Sequence, residues 1–201
     1  MNRSLLFLPL LAASCTTAVD EEASLAFAET VVEVPGFVDF LLVDGDTVWS
    51  TNEGRVEQWS REGKVATVEM PRPCGTMAME AGSLWVGNCE GGELYRIGPD
   101  TGQVLARIPA GIGPSGEQNV VGGAGAVWAP NQAAGTIARI DPGTGTVTGM
   151  IDLTGLLAEE DRLRDTDVLN GIAVDPMTGA IWVTGKRWPW LYEIALESTT
   201  R

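Results

Sequence analysis

Hydrophobic and polar residues alternate in short runs along the chain, and four of these runs share one pattern: Thr47-Val48-Trp49, Ser83-Leu84-Trp85, Ala126-Val127-Trp128 and Ala180-Ile181-Trp182. Strand side chains point to opposite faces in turn, so period-two alternation reads as half-buried β-strand. Each run follows a glycine-containing turn (Asp44-Gly45-Asp46, Ala81-Gly82, Gly123-Ala124-Gly125, Thr178-Gly179). A further run comes after the first three, Gly54 to Trp59, Gly92 to Ile97 and Gly135 to Ile140, and Trp190 to Ile194 plays that part in the fourth. A turn such as Pro99-Asp100-Thr101-Gly102 and another alternating run, such as Gln103 to Ile108, complete the unit. The tryptophans are 36, 43 and 54 residues apart. Repeats of about 40–45 residues with four short strands apiece mark the blades of a β-propeller. Their recurrence at one repeat position marks these four tryptophans as packing residues.

The fourth unit reads without a last strand, whereas Thr30-Val31-Val32-Glu33-Val34-Pro35-Gly36 precedes the first and matches the fourth runs elsewhere (Ala66 to Pro71, Leu105 to Ala110). The expected architecture is therefore an all-β, four-bladed propeller over residues 29–197, with a tail at 198–201. The amino-terminal strand is expected to complete the last blade and close the ring within one monomeric chain, leaving fewer exposed edges. The alternative is an open array that closes by dimerising.

The chain starts differently. Met1 to Ser4 carry one Arg, and Leu5 to Ala13 are apolar apart from Pro9, a stretch too short to span a bilayer. A basic start, a short apolar region and small residues after it describe an export signal over 1–14. Leu11-Ala12-Ala13-Ser14-Cys15 resembles the bacterial lipoprotein cleavage box, which implies a lipid anchor on Cys15 and a tether over 15–28. Ordinary cleavage near Ser14 is the alternative. The expected location is the periplasmic or extracellular face of the envelope, touching membrane only through that lipid.

Thirteen Lys and Arg against 27 Asp and Glu give a net charge of -14. That argues against a nucleic-acid partner, whose phosphates need basic side chains, and against electrostatic attachment to anionic lipid. The chain has no histidine. This excludes Ser-His-Asp and Cys-His catalysis, His-ligated zinc and any imidazole acid or base. Cys74 and Cys89 flank the hairpin that turns at Ala81-Gly82, and symmetric counting from that turn sets them opposite each other. Opposed positions come near bridging distance, and an exported protein favours oxidation, so a disulfide is expected, with two free buried thiols as the alternative.

Two resemblances overlap on these repeats. The stretch from Pro73 to Ile140, with Cys74-Gly75-Thr76-Met77-Ala78 and Gly82 to Cys89, resembles the streptogramin-lyase-like propellers. The carboxy-terminal third is similar to plant-type glutaminyl-peptide cyclotransferases, which are five-bladed propellers. Asp167-Val168-Leu169-Asn170-Gly171-Ile172-Ala173 and Val183-Thr184-Gly185-Lys186-Arg187-Trp188-Pro189 carry that likeness most specifically. It implies conversion of the amino-terminal glutamine of peptides to pyroglutamate, with release of ammonia. It also implies a substrate seat of Asn119, Asn170, Lys186 and Trp188. The family's catalytic acid stands on a Phe-Glu-Ser-Thr-Gly strand, where this chain reads Trp49-Ser50-Thr51-Asn52-Glu53, so Ser50 replaces the acid. Glu53, three positions on, is the nearest substitute. The family's pocket Trp is also missing, from Ala129-Pro130-Asn131-Gln132. The chemistry needs a carboxylate and oxyanion donors, and no metal or cofactor. A non-catalytic propeller binding a peptide or small ligand at its mouth is the competing class. A metal-assisted lyase is the third and weakest class, because that reaction uses a histidine.

Overall fold

The computed structural model describes residues 28–113 and 116–196. The export signal, Cys15, nearly all of the tether and the 198–201 tail lie outside these residues. The chain divides into two compact units, Met1–Val31 and Val32–Arg201, and every described strand belongs to the second.

Blade one holds β1 (Leu41–Asp44), β2 (Thr47–Asn52), β3 (Arg55–Ser60) and β4 (Gly63–Glu69). Blade two holds β5 (Pro73–Glu80), β6 (Ser83–Asn88), β7 (Glu93–Gly98) and β8 (Gln103–Pro109). Blade three holds β9 (Val121–Gly123), β10 (Ala126–Asn131), β11 (Thr136–Ile140) and β12 (Val147–Asp152). Blade four holds β13 (Leu169–Val174), β14 (Ile181–Gly185) and β15 (Tyr192–Ile194), and one 3-10 turn, Glu159–Asp161, precedes it. Each sheet is an antiparallel meander in sequence order, with four strands in the first three and three in the last. The first strands of successive blades are neighbours in the order β1, β5, β9, β13, which makes them the inner strands of a propeller.

Apolar residues that alternate along the strands form three clusters, one at each boundary between consecutive blades. Trp49, Val56 and Val68 of blade one meet Met77, Leu84 and Tyr95 of blade two. Trp85 and Leu94 meet Val120, Val127 and Ile140 of blade three. Trp128 and Ile137 meet Leu169, Ile181 and Val183 of blade four. The repeated tryptophan thus projects from each blade into the next. It is 0% exposed in blade one, 0% in blade two and 1% in blade three, but Trp182 of blade four is 39% exposed. The packing role expected for all four positions fails at the last, because none of the three clusters lies on the outer face of blade four.

Ring closure by the amino-terminal run is likewise not found. Residues 28–40 hold no strand, and no strand pairs with the free edge of β15 among the described residues. Instead the Pro35 carbonyl accepts from the Asn52 amide (2.9 Å) and the Arg55 guanidinium (2.6 Å), and the Phe37 N–H donates to Asn52 Oδ1 (2.9 Å). Asn52 and Arg55 on blade one thus hold the carbonyl near the end of the run, and Pro35 has no N–H to offer a ladder.

Cys74 and Cys89 are joined, with Cα atoms 6.0 Å apart. They are not directly opposite. Pairing of β5 with β6 follows the hairpin count from Glu80↔Ser83 to Ala78↔Trp85, then shifts so that Cys74 faces Gly87. The irregularity holds Gly75 at φ +75°, and a Cβ there would come within 2.1 Å of the Gln118 carbonyl oxygen. Only glycine admits both the left-handed backbone and the passage of the 117–119 segment.

Candidate functional site

Leu41 pairs with Ser50 and Asp44 with Thr47, so the start of the inner strand and the end of the second strand share one end of a blade. The connections between blades and the turns between second and third strands therefore gather at that upper end. Glu53, Asn119, Asn170, Lys186 and Trp188 all lie towards that end, with Glu53, Trp188 and Asn119 lining three different cavities.

Asn119, in the connection into blade three, ties three blades together. Its Oδ1 accepts from the Thr76 N–H of β5 (3.3 Å), and its Nδ2 donates to the Asn170 carbonyl of β13 (2.8 Å). Asn170 itself sits where the β13–β14 register shifts, a bulge that re-aims a side chain. Its Nδ2 is buried and has no hydrogen-bond partner. A cavity of about 540 Å³ opens along the inner strands here, lined by Thr76, Met77, Asn119, Val121, Gly171 and Ile172.

Lys186 leaves β14 at the same end. Its Nζ lies 3.7 Å from Glu117 Oε2, both side chains being partly exposed. Glu117 is two residues before Asn119, so the connection into blade three brings a carboxylate, and β14 a cation, beside the Asn119–Asn170 contact. Trp188 is half-buried. Its Nε1 donates to the Asp167 carbonyl (2.8 Å), and its ring meets Tyr192 edge-on at 6.1 Å. It walls a second cavity, of about 250 Å³, with Gln132, Leu153, Leu157 and Leu169. Asn119 and Asn170 are thus in direct contact, Lys186 meets the same connection through Glu117, and Trp188 lines a separate cavity.

Glu53 does not join them. It is exposed on the β2–β3 turn and lines a third cavity of about 300 Å³, between blades one and two, with Phe37, Asp39, Asn52 and Arg72. Ser50, standing at the place of the family's acid, is buried opposite Glu57 on β3, and its hydroxyl donates to the Glu57 carbonyl at 3.5 Å. Glu57 is a buried carboxylate that the sequence reading passed over. It accepts from Asn52 Nδ2 at 2.9 Å, Arg55 Nε at 3.0 Å and Lys64 Nζ at 3.1 Å. Burial pushes its pKa up, but the hydrogen bonds from Asn52, Arg55 and Lys64, with the Arg55 charge, outweigh burial and hold the carboxyl below its usual range.

Three further residues escaped the sequence reading. Glu117 was one carboxylate among many in an acidic chain. Gln118 is fully buried, its amide nitrogen donating to the Gly113 carbonyl (3.3 Å), while Oε1 has no partner. Gln132, standing near the missing pocket Trp, donates its amide to the Glu117 carbonyl and so fixes the backbone that presents the Glu117 side chain. The one available signal was the length of the connection from Ala110 to Val120, longer than a tight blade-to-blade turn needs. Among the described residues, no group of three His, Cys, Asp or Glu is placed to hold a metal ion.

An antiparallel, four-bladed propeller with a polar upper mouth is the class that the fold and site define. The glutamine cyclotransferase family matches residues 116–196, the stretch that carries Glu117, Asn119, Asn170, Lys186 and Trp188. Among solved structures, the glutaminyl cyclase of Myxococcus xanthus is 30% identical, with 78% of this chain and 71% of that chain covered and a TM-score of 0.53. The chain belongs to the glutamine cyclotransferase family. Two more distant likenesses show the fold alone. A streptogramin B lyase is 17% identical over 81% of this chain and 55% of its own (TM-score 0.55). The computationally designed Ika4 protein is 14% identical over 85% of this chain and 100% of its own (TM-score 0.59). No curated protein matches the chain.

Proposed function

We propose that the protein cyclises the amino-terminal glutamine of peptides, forming pyroglutamate and releasing ammonia, with Glu117 as the proton-transfer group. The observation that carries this reading is the contact of the Glu117 carboxylate with the Lys186 ammonium at 3.7 Å, on the connection whose Asn119 bonds the Asn170 carbonyl. In the reaction the neutral α-amine bonds to the side-chain amide carbon of the same glutamine. Glu117 takes a proton from that nitrogen and returns it to the amide nitrogen, which leaves as ammonia. One C–N bond forms and one breaks, and no redox partner is needed. Between the two steps the carbonyl oxygen carries negative charge, for which the Lys186 ammonium is the proposed partner. Trp188 supplies an apolar wall for the residues that follow. Holding amine and amide together accounts for much of the rate, because the reaction is intramolecular.

The competing reading, a peptide-binding propeller without catalysis, draws on blade one. Serine replaces the family's acid there, and Glu57 opposite it is held by three partners and not free to carry protons. An envelope setting with a Cys15 anchor belongs to the same proposal. Incubating the protein with a glutamine-led peptide and following its mass separates the two readings. Catalysis predicts loss of the mass of ammonia well above the spontaneous rate, and binding alone predicts protection or no change.

A further inference from the structure

The second strand of each blade carries a side chain two places after its tryptophan, except in blade two. Thr51, Pro130 and Thr184 stand there in blades one, three and four, and Gly87 in blade two. A Cβ on Gly87 would come 3.2 Å from the Gln118 Cβ and 3.5 Å from Cys74 Sγ. The space that blade two leaves open is thus taken by a residue of the connection into blade three. Gln118 is 0% exposed in this slot. Its backbone runs against the Gly75 bulge of β5, and on the cystine side Cys89 Sγ lies 3.6 Å from the Gly116 carbonyl oxygen. The Gln118 amide nitrogen donates back to the Gly113 carbonyl at 3.3 Å. Both neighbours of Gln118 are turned to other partners. The Glu117 side chain is 48% exposed beside Lys186, and Asn119 bonds the Thr76 N–H and the Asn170 carbonyl.

From this we infer that Gln118 is a positioning residue for Glu117: blade two is shaped to seat the buried amide, and seating it fixes where the adjacent carboxylate stands. The inference rests on Glu117 as the proton-transfer group. Consecutive Cα atoms are about 3.8 Å apart across a planar peptide, so a shift of Gln118 is passed on to Glu117. Burying an amide whose Oε1 has no partner costs free energy, which an apolar side chain of the same size would avoid. The amide is accounted for by its bond to Gly113, which ties the connection back on itself beneath Glu117. Gln132 holds the Glu117 carbonyl from blade three, and Gln118 holds the next residue on blade two. The backbone that carries the carboxylate is therefore gripped by both blades that it joins. Proton transfer depends on such placement, because an error of about 1 Å at a reacting group costs about 10²-fold in rate.

Gln118→Ala and Gly87→Ala test this on the full chain. The first empties the slot. The second adds a methyl group to its wall and displaces Gln118 by a few tenths of an ångström, with the connection's own residues unchanged. Hydrogen–deuterium exchange read by mass is expected to quicken over residues 116–121 in Gln118→Ala, while the other blades stay as protected as in wild type. Single-turnover cyclisation of a glutamine-led peptide, with enzyme in excess, is expected to fall about 10²-fold at saturation for Gln118→Ala and about 3–10-fold for Gly87→Ala. The half-saturating concentration is expected to stay near that of wild type. In a Glu117→Gln background neither change is expected to lower the rate by more than about 2-fold, the usual error of such cycles. Should the emptied slot unfold the chain, Gly87→Ala carries the same comparison. Unchanged exchange over 116–121, or losses as large in the Glu117→Gln background as in wild type, would overturn the inference and leave Glu117 as the base. Full activity of Glu117→Gln alone would instead fail the reading of Glu117, and the inference with it.

Discussion

Replacing Glu57 with glutamine keeps the shape of a buried side chain and removes its charge. Glu57 is 0% exposed and makes contacts of 2.9, 3.0 and 3.1 Å with Asn52, Arg55 and Lys64. A hydrogen bond to a charged group contributes about 1.5–3 kcal/mol, and three of them would suggest a larger sum. The cations reduce it, because Arg55 and Lys64 are 25% and 47% exposed and can turn to water when the carboxylate is gone. Glutamine also still accepts from Asn52. The expected net loss at pH 7 is therefore about 2 kcal/mol, or roughly 4–8 °C in Tm for a domain of this size. The pH dependence carries the sharper test. The folded carboxyl titrates below its unfolded value, so its contribution is complete above the unfolded pKa and disappears as pH falls through the folded one. Urea unfolding followed by tryptophan fluorescence should show the gap between wild type and Glu57→Gln undiminished from pH 7 to about 5 and shrinking below about 4.3, the ordinary glutamate value. A gap that stays constant into acid, or is absent at neutral pH, would show that Glu57 does not hold blade one together as a charge.

Other expected outcomes rest on the same contacts. Cys74→Ser with Cys89→Ser opens a loop of 15-residue separation and should cost about 3 kcal/mol on the chain-entropy account, read as a lower urea midpoint. Trp128→Ala should cost about 3–5 kcal/mol, as for other buried large-to-small changes; Trp182→Ala in dilute solution should cost well under half as much, and equal losses would mean that Trp182 is covered. Lys186→Ala should lower kcat/KM on a glutamine-led peptide by about 10²-fold, the scale of one oxyanion donor, with urea stability unchanged.

The blade pattern was legible because each blade repeats the same physical requirements: a glycine turn, an alternating strand and a tryptophan aimed at its neighbour. That logic located β2, β6, β10 and β14, the four sheets and the Cys74–Cys89 pair. It misjudged positions where one segment answers to two neighbours. The run ending at Pro35 matches fourth strands in pattern, yet the Asn52 and Arg55 side chains take its carbonyl. Symmetric counting set the cysteines opposite each other, but the bulge at Gly75, made by the passing 117–119 segment, shifts their register. Asn119, Asn170 and Lys186 were singled out through family motifs; the structure joins Asn119 to the Asn170 carbonyl and sets Lys186 beside Glu117. Glu53 was chosen by its closeness in sequence to Ser50, and the β2–β3 turn carries it to another cavity. Glu117 and Glu57 could not be told from the other acidic residues, because what distinguishes them is Lys186 at 3.7 Å in one case and burial among three donors in the other.

The central claim is that a carboxylate at the propeller mouth moves the proton. Glu117→Gln tests it most directly, because the change keeps the size and the backbone contact to Gln132 while removing the base. With the variant shown to unfold at the wild-type urea concentration, steady-state kinetics on a glutamine-led peptide should show kcat/KM reduced by about 10²–10⁴-fold, the usual share of general acid–base catalysis. Cyclisation by Glu117→Gln at the wild-type rate would contradict the account.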